Sequence, residues 1–115
     1  MKVTRVLLVE DDELVRLSTV ELLEALGFST KAVASADKAL ETLRTEKFTV
    51  MITDMGLPGM SGNNLAAIVR QRHPTLGIVF ASGAPPTFRL PANAIWLTKP
   101  CNADELASAI NSFAG

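Results

Sequence analysis

The sequence predicts one α/β domain: a five-stranded parallel sheet, doubly wound, with helices on both faces. Two observations carry that prediction. Short apolar runs alternate with stretches of helical periodicity along the chain, which implies right-handed crossovers and a parallel sheet. Several of those runs end in a carboxylate or a small polar residue before a loop, which is where an open α/β sheet places its chemistry.

The 115 residues match the usual size of one domain, so residues 1–115 are expected to share one core. Of them, 48% are hydrophobic and 20% charged, which fits a globular protein rather than a disordered one. Eleven basic side chains face twelve acidic ones, so overall charge does not suggest a nucleic-acid partner. Cys101 is the only cysteine and His73 the only histidine, which excludes an internal disulfide and a Cys/His zinc cluster. His73 precedes Pro74 at a helix end, where a contact with the helix dipole is expected rather than catalysis. The N-terminus turns acidic after four apolar residues, too soon for a signal peptide or membrane span, so a cytoplasmic protein without membrane contact is expected.

Val6–Val9 is a continuous apolar run and reads as a strand buried on both faces. It ends at Glu10, Asp11 and Asp12. A helix follows over Glu13–Leu26, with Val15, Thr19, Leu22 and Leu26 on one stripe and Gly27 as its C-cap glycine. Phe28–Val33 is a more polar strand, expected near a sheet edge. Ser35 caps a second helix whose stripe is Ala36, Leu40 and Leu43. Phe48–Thr53 is the third strand and delivers Asp54. Ser61 caps a third helix, with Leu65, Ile68, Val69 and Arg72 on one side and Pro74 as its stop. Leu76–Ala81 is the fourth strand, ending at Ser82, and Ile95–Leu97 the fifth, ending at Thr98, Lys99 and Pro100. Asn102 and Glu105 form a capping signature for the last helix, whose inner side is Leu106, Ala109, Ile110 and Phe113. Between the fourth and fifth strands stands GAPPTFRLPANA, whose three prolines predict a loop or about one helical turn in place of a full helix.

In a parallel sheet the C-terminal strand ends share one edge. That edge collects Glu10, Asp11, Asp54, Ser82 and Lys99. Crowded carboxylates repel, and a hard divalent cation such as Mg²⁺, which takes oxygen ligands, relieves the repulsion. A lysine and a hydroxyl beside such a cation suit a phosphoryl group. Each residue also has a plainer reading: Glu10 and Asp11 as caps of the first helix, Asp54 and Ser82 as turn residues, Lys99 as a solvated cation. GLPGMSG lacks the ending of a nucleotide P-loop, and no GxGxxG follows the first strand, so nucleotide binding is not indicated.

VLLVEDD, VMITDMGLPGMSG, IVFASG and WLTKP together resemble the motifs of the receiver domain of two-component response regulators, over essentially the whole chain. The resemblance implies a flavodoxin-like sheet of order 2-1-3-4-5. It implies that Asp54 accepts a phosphoryl group from a histidine kinase or a histidine phosphotransfer protein. It further implies that Asp11, Asp54 and the Gly56 carbonyl bind Mg²⁺, with Glu10 acting through water. Ser82 and Trp96 correspond to switch residues, and Lys99 to the lysine of a Lys-Pro motif whose peptide bond is usually cis. Such a chain is a phospho-accepting signalling domain rather than an enzyme. It would serve an unknown downstream protein, as a single-domain regulator or the receiver of a hybrid sensor kinase, and as a monomer or weak dimer.

Two features depart from the family pattern. Only the residues 83–98 separate Ser82 from Lys99, so the fourth helix is expected to be shortened or replaced by a loop, similar to a subset of atypical receivers. Gly56 stands where a polar side chain is common. Two rival functions stay open: a phosphorylation-independent interaction module on the same fold, and a metal-dependent phosphatase. The latter normally needs a second Asp where this chain has Gly56.

Overall fold

The computed structural model describes residues 4–87, 89–100 and 102–113. Phe88 and Cys101 lie outside them. The described residues form β1 (Arg5–Val9), α1 (Glu13–Ala25), β2 (Ser29–Val33), α2 (Ala36–Thr45), β3 (Val50–Asp54), α3 (Gly62–Arg72), β4 (Gly77–Ser82), β5 (Ala94–Thr98) and α4 (Ala103–Asn111). The five strands make one sheet of order β2-β1-β3-β4-β5, with every neighbouring pair parallel.

Alternate residues of the inner strands face opposite layers, which is why their apolar runs are unbroken. Leu7, Val9, Met51, Ile78 and Phe80 pack against Ala36, Ala39 and Leu43 of α2 and Leu65, Ala66 and Val69 of α3. Val6, Leu8, Val50, Ile52 and Val79 pack against Leu23 of α1 and Leu106, Ala109 and Ile110 of α4. β2 lies at one edge and is only partly buried, as its polar residues predict. β5 forms the other edge.

Local signals explain the helix ends. Ser35 and Ser61 accept from the backbone N–H groups of Lys38 and Asn64, and Asn102 and Glu105 make a reciprocal capping box. Gly27 takes φ 95° just past α1, a backbone state that glycine adopts without steric cost. His73 is the C-cap residue of α3, where its backbone N–H donates to the Val69 carbonyl. Among the described residues between β4 and β5 no helix forms, and α4 takes the place of a receiver's fifth helix.

Three expectations are corrected. On α1, Leu22 and Leu26 pack against the core as expected, but the fully buried residue is Leu23 and Val15 is exposed. The helix carries more apolar residues than one stripe needs, so periodicity alone leaves its rotation open. On α3, Leu65 and Val69 are buried as expected, joined by Gly62 and Ala66, but Arg72 is exposed. Neither Glu10 nor Asp11 caps α1: the cap is Asp12, whose carboxylate accepts from the Val15 N–H at 3.0 Å.

Candidate phosphoryl and metal site

Strand register brings the candidate residues level. Val9 lies opposite Thr53, Asp54 opposite Ala81, and Ser82 opposite Thr98. Glu10, Asp54, Ser82 and Lys99 therefore leave the same edge of the sheet within about one residue of each other, a rise of roughly 3.3 Å.

Asp54 closes β3 with its side chain half-buried. Its Oδ1 accepts from the Gly56 N–H at 3.2 Å, and its Oδ2 pairs with Lys99 Nζ at 3.3 Å. Gly62 sets how closely α3 can approach this strand end. A Cβ at Gly62 would lie 2.4 Å from the Asp54 carbonyl oxygen, so only glycine lets the first turn of α3 sit against it. The Gly62 N–H donates to the Met55 carbonyl across the same contact.

Glu10 is buried, with 6% of its surface exposed. A buried carboxylate needs partners. Its Oε2 accepts from the Asp12 N–H at 3.1 Å, and its Oε1 lies 3.5 Å from Lys99 Nζ. Asp11 is exposed at the mouth of the site. One carboxylate oxygen each from Glu10, Asp11 and Asp54 lies within 4.8 Å of the others. Octahedral Mg²⁺ holds oxygens at about 2.0–2.1 Å, so opposite ligands stand about 4.2 Å apart. This all-oxygen donor set is therefore a cluster that could hold such an ion after a small inward adjustment.

Lys99 is the cation that Glu10 and Asp54 share. Burial alone would lower the pKa of its ammonium, but the charge and hydrogen bond of Asp54 and those of Glu10 outweigh it. The net effect raises Lys99 above the ordinary lysine value. The Lys99 N–H donates to the Ser82 carbonyl at 2.6 Å, which ties β5 to the end of β4, and the Lys99–Pro100 bond is cis.

Ser82 ends β4, and its Oγ accepts from the Ala84 N–H at 3.4 Å. Trp96 is half-buried, its ring centroid 5.6 Å from that of Phe80. Its indole N–H donates to the Ala84 carbonyl at 3.1 Å, which ties the edge strand to the segment just after Ser82. Sequence reasoning missed the partner, because a loop carbonyl carries no side-chain signal.

Two other features went unread. Leu14 and Leu17 on α1 are 77% and 54% exposed, beside the acidic loop. The surplus of apolar residues in ELVRLSTV was their signal. Arg16 turns back from α1 onto the carbonyls of Glu10 and Asp11. No side-chain signal marked it, because its partners are backbone carbonyls.

Comparison with known proteins agrees with this geometry. Residues 6–111 match the family model described as the response regulator receiver domain. The chain is 34% identical over 115 residues to the sensor kinase CckA of Brucella abortus (strain 2308), covering 94% of this chain and 12% of that protein. It is 32% identical over 114 residues to the response regulator receiver protein CpdR of the same organism, covering 95% of each. The crystal structure of a CheY-like response regulator receiver domain protein from Methanospirillum hungatei JF-1 superposes with a TM-score of 0.89 at 28% identity, covering 96% of this chain and 93% of that one. Strand order, acidic strand ends and relatives agree: the chain, which spans no more than 16% of the length of relatives such as CckA, belongs to the response regulator receiver domain family.

Proposed function

We propose that Asp54 is the phospho-acceptor of this receiver and that Glu10, Asp11, Ser82 and Lys99 are its working partners. One observation carries the reading: three carboxylates converge within 4.8 Å, and two of them, Glu10 and Asp54, share Lys99 as their cation. Asp11, Asp54 and the Gly56 carbonyl would hold Mg²⁺, with Glu10 assisting through water. Bound there, Mg²⁺ would offset the charge of the carboxylates and of the phosphoryl oxygens.

The donor is a phosphohistidine of a histidine kinase or a histidine phosphotransfer protein. A carboxylate oxygen of Asp54 attacks phosphorus. The P–O bond forms as the P–N bond breaks, and the imidazole leaves with its electron pair and takes a proton from solvent. Lys99, already poised at Asp54, turns to the phosphoryl oxygens as they gather charge. The Ser82 hydroxyl donates to the same group. Ser82 lies two residues before Ala84, whose carbonyl holds the Trp96 indole, so movement of Ser82 passes directly to Trp96. Leu14 and Leu17 offer the donor domain an apolar landing face beside the acidic mouth.

Residues 1–115 form this one domain, acting as a single-domain regulator or within a hybrid sensor kinase and serving a downstream protein as a monomer or weak dimer. A cytoplasmic site of action is part of this proposal; among the described residues no helix is long and apolar enough to cross a membrane.

The test is intact-mass measurement after incubation with Mg²⁺ and a small acyl phosphate. A single phosphoryl adduct is expected, with a change in Trp96 fluorescence, and Asp54→Asn should abolish both. An adduct that survives Asp54→Asn would mean another carboxylate is the acceptor. An unmodified wild-type chain without Mg²⁺ binding would leave the phosphorylation-independent interaction module.

A further inference from the structure

Arg16 stands in the second turn of α1, and nothing in the phosphoryl chemistry calls on it. Its Nη1 donates to two consecutive main-chain carbonyls, Glu10 at 3.0 Å and Asp11 at 3.4 Å. Its own backbone N–H donates to the Asp12 carbonyl at 2.8 Å. One residue therefore holds the carbonyls of all three acidic residues in the β1–α1 turn. The other contacts of that turn are local: the Asp12 N–H donates to Glu10 Oε2, and the Asp12 carboxylate caps the Val15 N–H. Asp11 is exposed, and its carboxylate makes no hydrogen bond among the described residues. Its direction is thus set by the backbone on either side of it.

We infer that Arg16 is a positioning residue for cation binding: by clamping the Glu10 and Asp11 carbonyls, it aims those carboxylates at Asp54. The inference rests on the metal-binding reading of the site. Groups that orient metal ligands typically change affinity by about 10–100-fold when removed. Arg16 acts on backbone rather than on a ligand atom, so the effect belongs at the lower end.

The sign of the effect separates positioning from mere proximity of charge. A nearby positive charge weakens cation binding by repulsion, so if Arg16 acted only through its charge, removing it would tighten Mg²⁺ binding. If Arg16 positions the turn, removing it loosens binding despite the lost repulsion. Lysine keeps the charge and one donor group, so Arg16→Lys should recover part of the clamp.

The experiment is titration calorimetry of Mg²⁺ with the wild type, Arg16→Met and Arg16→Lys, with melting temperatures recorded alongside. The dissociation constant should rise about 10-fold in Arg16→Met, with Arg16→Lys between it and the wild type. At saturating Mg²⁺, adduct formation from a small acyl phosphate should return to within about twofold of wild type, because only positioning of the ion was lost. Unchanged or tighter Mg²⁺ binding in Arg16→Met overturns the inference while leaving the phosphoryl site intact. A wild type that binds no Mg²⁺ overturns both. Should Arg16→Met fail to fold, Arg16→Lys decides: weakened binding at an unchanged melting temperature supports the clamp, and wild-type affinity rejects it.

Discussion

The protein carries two charged clusters of opposite make-up. At the start of β1, Glu46 is one carboxylate between two cations. Arg5 pairs with it at 2.9 Å, Lys31 joins from β2, and the Arg5 guanidinium also donates to the Lys47 carbonyl and lies 4.6 Å over the Phe48 ring. At the other end of the strands, three carboxylates cluster around one lysine, which reaches Asp54 and Glu10 through longer contacts of 3.3 and 3.5 Å and leaves Asp11 unpaired among the described residues. The first cluster is satisfied as it stands and ties β1 and β2 to the loop after α2. The second has negative charge left over. That surplus, rather than the presence of ion pairs, marks the end of the sheet where a cation and a phosphoryl group belong.

Removing the single cation of the acidic cluster should have the largest effect. Lys99→Met leaves Glu10 and Asp54 without their shared partner, and adduct formation from a small acyl phosphate, followed by intact mass, should slow about 100-fold. The raised Lys99 pKa adds a signature in the metal-free protein. Its contribution to stability is fully present below the ordinary lysine value near about 10.4 and is lost as pH rises through the higher folded value. Urea unfolding of Lys99→Met should therefore lack that part of the alkaline decline. Wild-type labelling rates in this variant would place the functional cation elsewhere.

Gly62→Ala tests the geometry behind the acidic end. The added methyl would meet the Asp54 carbonyl oxygen at 2.4 Å, and α3 must shift to admit it. A loss of about 1–3 kcal/mol in urea unfolding is expected, together with weaker Mg²⁺ binding. An equivalent change away from the strand ends should spare the metal.

Glu46→Gln should do least, and should do nothing to phosphorylation. Hydrogen bonds from Lys31 and then Arg5 hold the Glu46 pKa below the usual carboxylate value. Its contribution is present above the unfolded value and fades as pH falls through the lowered folded one. The variant should flatten the acid limb of the stability profile slightly and leave neutral-pH labelling unchanged, since exposed ion pairs contribute little. A change in labelling rate would mean that the two ends of the sheet are coupled.

Much of the site was legible because it is written locally. Each candidate residue ends an apolar run, and a parallel sheet must gather such ends on one edge. Asp54, Glu10 and Lys99 could be named without coordinates for that reason. The proline-rich segment was equally readable, since proline forbids the helix that would otherwise stand there. Arg16 was not readable, because its partners are backbone carbonyls that every residue possesses. The same holds for the Trp96 indole, whose acceptor is the Ala84 carbonyl.

By itself the sequence determined the elements, their caps and the strand ends that carry charge. Capping by Ser35, Ser61 and Asn102 depends on groups three residues apart, and a strand's apolar run needs only its own residues. Tertiary structure decided which side of α1 turned inward, leaving Leu14 and Leu17 outside and Leu23 buried. It also decided that Lys99 would reach both Asp54 and Glu10, from 45 and 89 positions away. Those outcomes depend on how the crossovers set helices and strands beside one another in space, and no periodicity within a segment encodes that distance.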